Sequence, residues 1–202
     1  PEDLLDTLRQ PTLTVAPGVT DAVATRLATL VPQLRLVADQ RRQTEQQMDA
    51  LLEQLPDGPA ESESRPHRDA QILRSLPGVG RMVSATMLVD ATAPLRERDY
   101  SRLRAWTGVA PVTKRSGKRC VVHFRYACSG RLRDAMYHWA RTSIQHDAGA
   151  RRYYDQLKAR GHHHARALRS VADRWLRILM AMLHTGELYQ PDRFSAPASE
   201  AA

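Results

Sequence analysis

The chain has 202 residues, 42% of them hydrophobic, which is enough to bury a core and excludes a wholly disordered protein. Lys and Arg outnumber Asp and Glu by 30 to 22, giving a formal charge of +8 and a sequence pI near 10.1, so a polyanion is the expected partner, with nucleic acid first. No apolar run approaches the roughly 20 residues of a membrane span, no secretion pattern opens the chain, and Cys120 and Cys128 make neither a disulfide framework nor a zinc site. These features predict a cytoplasmic protein that does not enter membranes. The chain starts on Pro1 rather than methionine, which reads as a fragment or processed form.

In chain order, the first expected unit is residues 1–55. After a loop-like stretch, Pro11 to Thr20, apolar residues recur at Leu27, Leu30, Leu34, Val37, Met48, Leu51 and Leu55. The alternating steps of three and four are a heptad seam, interrupted by polar Arg41 and Thr44. Such a seam suits either a homo-oligomeric coiled coil or an intramolecular helical hairpin. Residues 56–66 hold three prolines among small and acidic residues and read as a linker. Residues 67–190 are the expected globular domain, and 191–202, rich in Pro, Ala and Ser, a disordered tail.

Within that domain the pattern predicts a helix ending at Ser75, a glycine turn at Leu76-Pro77-Gly78-Val79-Gly80, and a helix over about 81–91. A short helix over about 99–107 is closed by Gly108, and the β-branched pair Val121 and Val122 marks Cys120 to Phe124 as a strand. Helices over about 130–146, 149–160 and 162–185 complete a mainly α fold: a long coiled-coil-like helix, then a helical domain with a helix-hairpin-helix-like motif and a small basic loop or β-hairpin.

The basic insert is Lys114-Arg115-Ser116-Gly117-Lys118-Arg119. It presents one hydroxyl on a glycine turn between two pairs of cations. Cations there attract a phosphodiester and can neutralise the charge that grows on its oxygens when Ser116 attacks; the plainer alternative is a turn that only holds nucleic-acid backbone. Gly78, Val79 and Gly80 offer bare backbone N–H groups to a phosphate, or else form a tight packing turn. On the helix from Arg131 to His146, Arg131 and Arg133 belong to a phosphate-facing surface, with Arg141, while Trp139 belongs to the core. His162, His163 and His164 point about 100° apart on a helix and cannot share one ion. His123 is the histidine nearest Ser116 in sequence, either a proton shuttle or a plain core or surface residue. The carboxylates Asp90, Glu97, Asp99, Asp134, Asp147, Asp155 and Asp173 are scattered, so no metal site of the chain's own is expected.

Taken together, Leu76-Pro77-Gly78-Val79-Gly80, Trp106-Thr107-Gly108-Val109-Ala110-Pro111, Arg115-Ser116-Gly117 and Ser129-Gly130-Arg131-Leu132-Arg133 closely resemble the C-terminal half of the insertion-sequence one-ten transposases, the bridge-RNA-guided group related to a pilin-gene invertase. The resemblance runs over about 67–190, through Tyr153-Tyr154 and Gly161. It implies a DNA transposase or site-specific recombinase whose nucleophile is Ser116, with Lys114, Arg115, Gly117, Lys118 and Arg119 around the scissile phosphate. It also implies a guide RNA, assembly of protomers through the coiled coil, and magnesium held by a resolvase-like Asp-Glu-Asp-Asp domain that this sequence does not contain. Ala127-Cys128-Ser129-Gly130 departs from the lysine-containing stretch of many members, which makes Ser129 a rival hydroxyl, although it also reads as a helix N-cap. The competing function is a non-catalytic nucleic-acid-binding remnant.

Overall fold

A computed structural model describes residue 6 and residues 16–54, 68–117 and 119–191. The expected linker, the expected tail, Leu55 and Lys118 therefore lie outside the described residues. The protein is mainly helical. In chain order its elements are α1 (Val19–Gln54), α2 (Asp69–Ser75), α3 (Arg81–Asp90), α4 (Thr92–Arg96), α5 (Tyr100–Trp106), β1 (Val112–Ser116), β2 (Arg119–His123), α6 (Gly130–His146), α7 (Ala148–Ala159) and α8 (His164–Thr185). The chain divides into two compact units, Pro1–Gln47 and Met48–Ala202, with the division inside α1.

In the first unit α1 is one continuous helix that runs through Pro32, so residues 19–54 do not fold back as a hairpin. Its heptad residues Leu27, Leu30, Leu34 and Val37 are all exposed, Leu34 at 70%. The polar positions of the seam are satisfied along the helix itself: Arg41 pairs with Glu45 at 2.9 Å, and the Thr44 hydroxyl donates to the Gln40 carbonyl.

The second unit is organised by α6 and α8. On α8 the residues Leu168, Val171, Ala172, Trp175, Leu176 and Leu179 recur at helical spacing and are all buried, forming one apolar stripe. Leu132, Met136, Trp139 and Ala140 give α6 the matching face, and the two helices pack together, with α3 and α7 against α6. Trp139 is fully buried, as its position on that face predicts. Buried Leu52 places the last turns of α1 in this unit, where Asp49 accepts from Arg81 at 2.7 Å and pairs with Arg74 at 3.4 Å.

Three local features were not predicted. The single-turn helix α4 sits where the sequence reads as a connection, and Arg98 beyond it adopts a left-handed backbone, φ 54°. The Arg98 guanidinium makes two 2.8 Å bonds to the carboxylate of Asp69 and is 7% exposed, so this pair holds α2 against the α4–α5 connection. Residues 112–116 form a strand paired with the predicted one, which settles the basic insert as a β-hairpin. Finally, α8 starts two residues later than expected, because His163 is extended, ψ 152°, and stands as the N-cap.

Gly78 has φ 82°, and a Cβ built there would lie 2.6 Å from the backbone nitrogen of Ser143 on α6. The turn is thus a contact between two helices in which only glycine fits, and the Trp139 indole N–H adds a 3.1 Å bond to the Pro77 carbonyl. Gly80 has ordinary extended angles and open space around it. We expect Gly78→Ala to destabilise the protein by about 2–4 kcal/mol, combining left-handed strain with a backbone clash, while Gly80→Ala changes stability by less than about 0.5 kcal/mol. Urea unfolding of the two variants checks the contrast.

Candidate nucleic-acid interface

The hairpin register determines what stands beside Ser116. The strands pair antiparallel, with Ser116 opposite Arg119, Lys114 opposite Val121 and Val112 opposite His123. Alternation therefore places Val112, Lys114, Ser116, Arg119, Val121 and His123 on one face, and Thr113, Arg115, Cys120 and Val122 on the other. Gly117, with φ 56°, supplies the left-handed residue of the turn. Ser116, Arg115, Lys114 and Arg119 are all exposed, and none has a carboxylate partner among the described residues. A shallow concavity of about 600 Å³ is lined by Lys114, Arg115, Ser116, Arg119, Val121 and His123.

His123 shares the face of Ser116 but stands four residue pairs down the ribbon. At about 3.4 Å per residue that is roughly 13 Å, too far for direct proton transfer. The surface alternative fits it: it is exposed, at the root of the hairpin.

The other expected residues are spread over separate elements. Ser129 caps α6, its hydroxyl accepting from the Leu132 amide at 3.3 Å, so this oxygen already has a structural task. Arg131 is exposed and reaches Asp90 at 3.2 Å, and Arg133 points over the ring of Phe124 at 5.9 Å. Gly78 and Val79 face the core, leaving Gly80 as the exposed member of the glycine turn at the start of α3. The histidine run is not divided by helical geometry, because only His164 lies on α8: His163 is extended at the N-cap position with no side-chain cap, and His164 Nδ1 meets the Tyr154 hydroxyl at 2.7 Å.

The scattered carboxylates also have local tasks. Asp99 and Asp147 cap α5 and α7, Asp155 pairs with Arg151, and Asp173 accepts from Arg104 and from the Tyr100 hydroxyl. Burial raises the Tyr100 hydroxyl above its usual range, with Arg177 acting in the opposite direction through a hydrogen bond. Among the described residues no three His, Cys, Asp or Glu side chains are grouped to hold a metal ion.

Sequence reasoning missed Arg166 and Arg169, one helical turn apart on α8 and facing the root of the hairpin. They line a cleft of about 410 Å³ together with His123, Phe124, Arg125 and Asp173. Arg169 lies over the Phe124 ring at 4.9 Å, opposite in role to Arg133, so that an aromatic side chain at the end of β2 is gripped from both α6 and α8. Burial, and next the charge of Arg166, lower the pKa of Arg169 from its ordinary value. No local motif signals this pair, because it lies some forty residues beyond the hairpin and acquires its meaning only when α8 folds beneath it.

An exposed serine and cations without carboxylate partners among the described residues thus stand together on a hairpin attached to a helical domain. Residues 70–155 match the family described as Transposase IS116/IS110/IS902. The matched segment contains the entire hairpin. The chain is 34% identical over 193 residues to the 43.6 kDa protein of insertion element IS110 from Streptomyces coelicolor, covering 94% of this chain and 44% of that protein. It is 32% identical over 175 residues to the 42 kDa protein of insertion element IS900 from Mycobacterium paratuberculosis, covering 84% and 43%. The 44.8 kDa protein of insertion element IS116 from Streptomyces clavuligerus is 31% identical over 184 residues, 88% and 45% of the two chains. The chain thus spans less than half the length of these relatives.

The two serines should separate in stability measurements. Removing the Ser129 hydroxyl in Ser129→Ala is expected to cost about 1 kcal/mol through the lost cap, whereas Ser116→Ala, on an exposed turn, stays within about 0.5 kcal/mol of the parent. Thermal or urea unfolding of both variants reads this directly.

Proposed function

We propose that this chain is the part of a DNA transposase that carries the nucleophile, and that Ser116 attacks a DNA phosphodiester. The observation that carries this reading is the position of Ser116 at the apex of the hairpin, directly opposite Arg119 and on the same face as Lys114. A hydroxyl displayed to solvent between fixed cations costs little stability and meets a phosphate where its charge is already balanced. The match of residues 70–155 to a transposase family supports the class of reaction.

In the proposed step the Ser116 oxygen forms a bond to phosphorus and the bond from phosphorus to the departing sugar oxygen breaks. The serine proton leaves to solvent or a base, and the departing oxygen takes up a proton. The resulting phosphoserine diester conserves the energy of the broken bond, so the hydroxyl of a second strand can reverse the step and join to a new end. Lys114 and Arg119 hold the non-bridging oxygens from the serine's own face, Arg115 reaches the same phosphate from the edge, and Gly117 allows the tight turn. Lys118 completes the cation set by sequence.

The described residues do not form a magnesium site. A guide RNA that selects the DNA, and pairing of protomers through the exposed apolar seam of α1, belong to the same proposal. The seam supports the second point, because exposed leucines and valines at heptad spacing are stabilised by a partner helix.

The test is covalent capture on nicked DNA by the complete transposase that contains this segment, with its guide RNA. The parent is expected to give a DNA-linked peptide that maps to Ser116 by mass spectrometry. Ser116→Ala should abolish the adduct while leaving DNA affinity within about twofold, and Ser116→Cys distinguishes loss of a nucleophile from loss of shape. An adduct on Ser129, or an undiminished adduct in Ser116→Ala, would overturn the assignment.

A further inference from the structure

The cations of the hairpin continue into the body of the domain. His123 lines both the concavity at the hairpin apex and the cleft at its root, so the two adjoin at this residue. The cleft is rich in arginine, and its only carboxylate among the lining residues, Asp173, is already engaged. Asp173 accepts from Arg104 Nε at 2.5 Å and Nη2 at 3.0 Å, and from the Tyr100 hydroxyl at 2.9 Å. Arg125 is partly committed as well, its Nε donating to the Ala110 carbonyl at 3.0 Å.

Arg166 and Arg169 have no carboxylate partner among the described residues. They stand three residues apart on α8, so their side chains project from the same face of the helix. Stacking on Phe124 fixes Arg169 without neutralising it. Two like charges held side by side, one of them half-buried, repel each other and are relieved by a bound anion. The guanidinium fork is suited to the paired oxygens of a phosphate.

From these observations we infer that Arg166 and Arg169 form a second phosphate seat, which holds the DNA strand being attacked at a phosphate about two nucleotides from the one at Ser116. The spacing follows from the hairpin. Its face descends roughly 13 Å from Ser116 to His123, and successive phosphates of one strand lie about 6–7 Å apart, because each nucleotide advances about 3.4 Å along the axis and also turns round it. This inference rests on the reading of Ser116 as the nucleophile for its register, whereas the seat itself stands on the cleft. Its role is positioning: anchored at both ends of the ribbon, the strand is held in register against the serine.

Arg166 is exposed and makes no fold contact that its loss would break, so Arg166→Gln is the informative variant, with Arg96→Gln on α4 as a control of equal charge. Binding of the 202-residue chain to a duplex DNA of about 20 base pairs is titrated against salt. The slope of log K against log salt is expected to become shallower by about 0.9 in Arg166→Gln and to stay at the parent value in Arg96→Gln. An unchanged slope in Arg166→Gln, beside a steep parent slope, would overturn the seat. So would a slope change seen only with an RNA duplex.

A flat parent slope would instead remove the DNA-binding reading, and the seat with it. In covalent capture by the complete transposase, a neutral methylphosphonate about two linkages from the joined phosphate should weaken binding of the parent and leave Arg166→Gln unaffected. Equal weakening of both proteins would overturn the proposed spacing, even with the adduct on Ser116.

Discussion

The second unit depends on two tryptophans and the groups that satisfy their N–H donors. Trp139 on α6 and Trp175 on α8 lie nearly parallel, with ring centroids 6.1 Å apart. One indole donates to the Pro77 carbonyl and the other to the Ser143 hydroxyl at 2.8 Å, so neither N–H is buried without a partner. Ser143 is itself fully buried, and its hydroxyl donates a hydrogen bond to the Ala140 carbonyl at 2.9 Å. Because Gly78 rests on the backbone of the same Ser143, a single turn of α6 connects the glycine turn, α6 and α8. Everything that positions the hairpin hangs from this connection: α6 follows the hairpin in the chain, and α8 lies beneath its root.

The arginines divide into two populations with different physical roles. Arg98 and Arg104 are part-buried, bound to Asp69 and Asp173, and tie distant elements together. Desolvation makes such pairs costly to form and more costly to break, so they fix arrangement more than they add stability. Among the described residues Lys114, Arg115, Arg119, Arg166 and Arg169 lack carboxylate partners, and they line the concavity at the hairpin apex or the cleft at its root. The net positive charge of the chain therefore understates the charge here, since the one carboxylate lining these surfaces, Asp173, is bound to Arg104.

Much of this arrangement was legible in the sequence. The apolar spacing on residues 130–146 marked a helix and its buried face, including Trp139, because one stripe per helix is the strongest periodic signal a chain can carry, and the helix expected over about 162–185 was found from His164. Ser129 and Gly108 marked their helix ends for similarly local reasons. The partner strand 112–116 was illegible, since Val-Thr-Lys-Arg-Ser has a single apolar residue and becomes a strand only when residues 119–123 supply the ladder. The glycine turn pointed two ways, and what local sequence could not show was the closeness of α6, which makes Gly78 a packing glycine. Arg166 and Arg169 were hidden for the same reason, since neither position differs by spacing from the ordinary solvated arginines of a basic helix.

The hairpin's strands pair only with each other, and the ribbon is held at its root by Phe124 between Arg133 and Arg169. Mechanically this is a cantilever with the hydroxyl at its free end. Over a span of roughly 13 Å, a tilt of about 10° at the root carries the tip about 2 Å, more than the misplacement that slows a displacement a hundredfold. The position of the Ser116 hydroxyl is thus controlled from the far end of the ribbon, by an aromatic ring and the two guanidinium groups that lie over it.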